Sequence, residues 1–122
     1  MGSEGLHEPG DLLDEATVDH HRAVTSLVEE LEAVDWYDQR VRATNDDSLA
    51  AVLAHNRDEE KEHASMTLEW LRRRDPAFDQ HLRTYLFTTE PITEIEALAE
   101  EATSGGPGGS GSLGIGSLKG AE

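Results

Sequence analysis

From Leu12 to about Thr44 the chain has neither proline nor glycine, and apolar residues recur at Val24, Leu27, Val28, Leu31 and Val34. Intervals of three and four are the period of an α-helix with one apolar face. Asp11, just after Pro9 and Gly10, is placed to cap its start. The run Thr44 to Ser48 is polar, turn-forming and rich in N-cap candidates. A second helical pattern then spans about Leu49 to Arg74, stopped by Pro76. So short a turn predicts two antiparallel neighbours. Thr89-Glu90-Pro91 opens a third, shorter helix reaching about Glu101, with Pro91 in its first turn. Residues 76 to 88 carry no assignment.

Composition sets the limits of the folded part. Eight of the 11 glycines fall between Gly105 and Gly120, so the foldable portion of the 122 residues is nearer 11–102. Residues 1–10 read as a disordered lead-in, 103–112 as a flexible Gly/Ser linker, and 113–122 as a short tail dotted with Leu113, Ile115 and Leu118. The expected class is all-α: an antiparallel two-helix hairpin plus a short C-terminal helix. Each long helix has an apolar face wider than one neighbour can cover. Such a hairpin is expected to pair with a second copy into a four-helix bundle.

Charge narrows the function. The 26 acidic residues against 10 Lys and Arg give a formal charge of −16, which repels nucleic acid and anionic membranes and attracts metal cations. With no cysteine, disulfides, thiolate metal sites and a thiol nucleophile are excluded. No apolar run approaches the length of a membrane span, and the polar start is no signal peptide, so a cytoplasmic protein is expected.

The placement of carboxylates is more telling than their number. The first helix has its stripe on Ala23, Leu27, Val34 and Val41, and Glu30 lies within about 60° of Leu27 around the axis. The second helix has its stripe on Leu49, Val52, Leu53, Ala64, Thr67, Trp70 and Leu71, and Asn56, Glu60 and His63 fall inside it. A buried carboxylate needs a compensating positive charge. Only Arg57 stands near, at the margin of the stripe, so a metal ion is the economical partner. Glu60 and His63 form a Glu-x-x-His element, whose spacing stacks both side chains on one side of a helix. In di-iron carboxylate bundles two helices each contribute a Glu and two others a Glu-x-x-His. One copy of each half is present here, so a two-fold dimer would complete both the fold and the metal site.

A second cluster, Glu29, Glu32 and Trp36, lies on the face opposite the stripe. It suits cation entry or a contact between dimers, and the sequence leaves both open. Tyr37 lies on the side of Glu30, two turns along, as a core residue or a supporting neighbour of the metal. His20, His21 and His55 read as ordinary helix residues.

The runs Glu29 to Tyr37, His55 to His63, Met66 to Leu71 and His81 to Phe87 resemble the encapsulated ferritins. The resemblance covers nearly the whole helical region and is weakest in the lead-in and the acidic stretch before the linker. It implies a half-ferritin protomer whose ferroxidase centre forms at a dimer interface, with dimers joined into a ring-shaped decamer. The family's iron ligands fall on Glu30, Glu60 and His63, and its metal-entry residues on Glu29, Glu32 and Trp36. The tail residues Leu113, Ile115 and Leu118 resemble the signal that loads cargo into an encapsulin shell.

The resemblance thus implies oxidation of Fe(II) by dioxygen at a di-iron centre, with Glu60 bridging, His63 a terminal nitrogen ligand and Glu30 a terminal carboxylate. Ca(II) or Zn(II) could occupy the same ligands in a purified or crystallised form. The alternative is a non-catalytic cargo or adaptor protein, its helices stapled by metal.

Overall fold

A computed structural model describes residues 5–105, among which every regular element is helical. Leu113, Ile115 and Leu118, with the rest of the expected tail, lie outside the described residues. The four helices are α1 (Glu15–Ala43), α2 (Asp47–Arg74), α3 (Pro76–Tyr85) and α4 (Ile92–Gly105). They divide into two compact units, one ending at Arg74 and the other starting at Asp75.

The first unit is the antiparallel hairpin. Asp11 does not cap α1; it sits in a 3-10 turn over Gly10–Leu12, and the cap is Asp14, whose Oδ1 accepts from the Thr17 amide at 2.8 Å. The Thr17 side chain foremost, and then this amide, hold the Asp14 carboxyl below the usual range, and the amide bond satisfies one of the free donors at the helix start. The chain before it is not free of α1: a side chain at Gly5 would come within 2.8 Å of the His21 ring. At the turn, Asp46 accepts from the Leu49 amide at 3.0 Å, so α2 begins two residues before the expected Leu49.

The hairpin covers only part of its own apolar surface. Leu27, Val34 and Val41 on α1 are half-buried, and on α2 Ala64 and Leu71 are buried. Val28 and Leu31 remain 48% and 54% exposed, and across the turn Leu49 and Val52 stay similarly open. Periodicity identifies an apolar face but not how much of it a single neighbour can cover.

The second unit corrects the reading of residues 76 to 88. Pro76, expected only to stop α2, also starts α3 at its first position. Asp75 caps that helix by accepting from the Phe78 amide at 3.0 Å. Phe87 follows with a φ of 63°, in the left-handed region, and Ile92 resumes helical structure. Thr84 and Ile95 are the buried positions of this unit, and the Thr84 hydroxyl donates to the Gln80 carbonyl at 2.9 Å. Helix α4 continues to Gly105, past the expected start of the linker at residue 103.

Candidate metal centre

Glu30 sits in the middle of α1, half-buried, and its Oε1 is fully buried without a hydrogen-bond partner. An orphan carboxylate oxygen out of water is costly, so such a group calls for a cation or a donor from outside the chain. It lines a groove between α1 and α2, together with Ala23 and Ser26 from α1 and Met66, Thr67 and Trp70 from α2.

On α2 the Glu-x-x-His spacing does what helix geometry requires: His63 Nδ1 lies 3.5 Å from Glu60 Oε1. Thr67, one turn on, donates its hydroxyl to the His63 carbonyl at 3.1 Å, which keeps that hydroxyl off the histidine ring. Among the described residues no three metal-ligating side chains of one chain converge on a point. The structure therefore brings Glu60 to His63 and does not gather Glu30 with them into a complete set.

The nearby positive charge is engaged by other carboxylates: Arg22, which lines the same groove as Glu30, donates to Asp19 at 2.8 Å. Arg57, at the margin of the stripe, donates to Asp38 of α1 at 2.8 Å and to Asp58 at 3.0 Å. Asp58 and then Asp38 hold its pKa above the ordinary value. Asp38 accepts from Arg42 as well, and the two guanidiniums, Arg42 foremost, pull its carboxyl below the usual range. Nearer the end of α2, Glu69 accepts from both Arg72 and Arg73 at 2.7 Å, which lowers its pKa to about 2. Arg74 lies over the Trp70 ring, 3.8 Å from its centre.

The second cluster is exposed as expected: Glu29 and Glu32 face solvent and Trp36 is 51% exposed. Tyr37 is half-buried, with the Arg40 guanidinium 5.6 Å from its ring centre. Asp38 is the residue that sequence reasoning missed. Its partner lies 19 positions away, and no local spacing signals the pairing.

Three comparisons set this geometry among known proteins. A protein of Rhodospirillum rubrum described as an encapsulated ferritin-like protein is 62% identical over 129 aligned positions, covering 98% of this chain and 91% of the relative. The encapsulin nanocompartment cargo protein EncC of Myxococcus xanthus is 31% identical over 84 positions, covering 64% of this chain and 65% of that one. A crystal structure of a protein from Nitrosomonas europaea, 64% identical, superposes with a TM-score of 0.71 over 72% of this chain and 97% of that one. The helical fold is thus shared with that solved structure. Since the model of the EncFtn-like proteins also matches residues 5–89, this chain belongs to the EncFtn-like family.

Proposed function

We propose that the chain is a ferroxidase that oxidises Fe(II) to Fe(III) with dioxygen at a di-iron site shared by two copies, and that it delivers the product for storage inside an encapsulin shell. The observation that carries the reading is the buried, unpartnered Oε1 of Glu30 in a groove of the same hairpin that pairs Glu60 with His63. Half of a four-Glu, two-His set is present on one chain, and a two-fold axis supplies the other half.

Iron is the substrate. Glu60 of each copy bridges the two ions, Glu30 supplies a terminal carboxylate and His63 a terminal nitrogen. Hard oxygen donors with one imidazole per ion suit iron and leave positions open for water and dioxygen. A carboxylate can bind through one or two oxygens, so the same residues would accommodate the rise in the ion's charge. Two Fe(II) ions give one electron each to dioxygen, which takes up two protons to leave as hydrogen peroxide.

Exposed Val28 and Leu31 offer the second copy an apolar face, and dimers are expected to assemble further into a decamer. Glu29, Glu32 and Trp36 form the approach for iron. The shell partner is proposed from the tail residues Leu113, Ile115 and Leu118 and from the encapsulated relatives.

Anaerobic loading with Fe(II) followed by air is expected to give a ferric absorbance rise and oxygen uptake. Glu30→Ala, Glu60→Ala and His63→Ala should each abolish both. Full activity in Glu60→Ala would sink the assignment. Metal-dependent assembly without oxygen uptake would instead identify the non-catalytic, metal-stapled cargo protein.

A further inference from the structure

We propose that Met66 is a modification site, oxidised to the sulfoxide by hydrogen peroxide formed at the iron centre. The inference rests on the ferroxidase reading and extends it to a residue with no part in binding iron. Met66 lines the groove that holds the buried oxygen of Glu30, and it is 59% exposed. The chain has two methionines, Met1 and Met66, and no cysteine, so Met66 is the soft sulfur placed beside the site.

The step balances without a further reactant. Dioxygen accepts two electrons from two Fe(II) ions and two protons, giving hydrogen peroxide. A sulfur lone pair of Met66 attacks one peroxide oxygen; the S–O bond forms as the O–O bond breaks. The departing hydroxide takes the proton left on the transferred oxygen and leaves as water. Sulfur loses the two electrons that peroxide gains.

The groove also favours Met66 over its neighbour. Trp70 shares the lining, but the Arg74 guanidinium lies 3.8 Å from the centre of its ring. A cation over an indole opposes removal of an electron from it, since the ring would itself become positive. Oxygen-atom transfer to the Met66 thioether takes two electrons from sulfur and ends in a neutral sulfoxide, with no cationic radical to form. Sulfoxide is also the form of damage that reductases reverse, so Met66 is a renewable sink where an oxidised Trp70 would not be.

The test uses the full chain, metal-free and reduced. One sample is loaded with Fe(II) without oxygen and then aerated while ferric absorbance is followed; a second receives the same molar amount of hydrogen peroxide and no iron. Peptide mass spectrometry then measures oxidation at Met66, Trp36 and Trp70. Met66 sulfoxide is expected to be about ten-fold higher in the iron sample, with both tryptophans unchanged. Met66→Leu, a swap that conserves volume, should keep the rate of the ferric rise and increase the peroxide accumulating in solution. A normal ferric rise with Met66 unmodified, or modified no more than in the peroxide sample, overturns the proposal and leaves the ferroxidase intact. Equal oxidation of Met66 and Trp36 also overturns it, by showing diffuse radical damage. No ferric rise at all overturns the ferroxidase reading, and the proposal with it.

Discussion

Arg57 of α2 donates to Asp38 of α1 at 2.8 Å, tying the two long helices together across 19 residues of chain. Side-chain exposures of 21% and 35% place the pair in the partly desolvated range, where an ion pair outlasts its surface counterparts. The pair sits one turn from Glu60 on α2 and two turns from Glu30 on α1, so it fixes the register in which the groove residues meet. Arg57→Met is expected to lower the urea midpoint while leaving the slope of the transition unchanged. Asp38→Asn should do the same. In a double-mutant cycle the two losses should fall short of adding, because each variant removes the same bond.

Glu30 should show the opposite balance between stability and activity. Its unpartnered Oε1 is a liability in the metal-free chain. Glu30→Met keeps the volume and removes the buried polar atom, so the iron-free protein is expected to gain about 1 kcal/mol of stability. The same variant should lose the ferric absorbance rise. Urea unfolding without iron and an aerobic iron assay, run on one preparation, check both halves. A destabilised Glu30→Met would mean that another group already satisfies the carboxylate.

Acid should loosen the end of α2 in a defined window. Arg72 and Arg73 hold the pKa of Glu69 down at about 2, against an ordinary value of 4.5. A carboxyl lowered on folding stabilises the fold above its unfolded pKa, and that contribution is lost as pH falls toward the folded value. Urea midpoints measured from pH 5 to pH 2 should therefore show wild type ahead of Glu69→Gln at the upper end, the gap closing between about 4.5 and 2. Salt should narrow the gap at every pH, since the carboxylate is 41% exposed.

How far the chain could be read without coordinates depends on the range of the interaction. The nearness of Glu60 and His63 follows from a three-residue interval, and the half-buried position of Glu30 from its angle to Leu27. Both are properties of a single helix, which periodicity describes well. Helix α3 was not legible because Pro76 has two meanings: it ends one helix and, with Asp75 as cap, begins the next. The order Phe78, Leu82, Tyr85 carried the signal, since those spacings form one apolar face. Asp38 and Arg57 could not be paired in advance, because their contact depends on the register of two helices. Nor does a pattern of apolar residues say that Leu27 is half-buried while Leu31, four residues on, is left open.

The exposed trio Glu29, Glu32 and Trp36 has two readings that kinetics can separate. As an approach for iron, the carboxylates act by raising the local concentration of Fe(II), an effect that matters only while capture limits the rate. The double substitution Glu29→Gln with Glu32→Gln should then lower the initial rate about three-fold at low Fe(II) in dilute buffer. It should leave the rate at saturating Fe(II) unchanged, and the difference should fade as salt brings the screening length to about 8 Å. As a subunit contact, the trio would act through Trp36, whose ring at 51% exposure offers an apolar anchor. Trp36→Ala would in that case shift the assembled mass measured by sedimentation, with or without iron. Initial rates over a range of Fe(II) and salt, set beside the mass of each variant, decide between them. A mass change in Trp36→Ala together with unaltered rates in the double variant would assign the cluster to assembly alone.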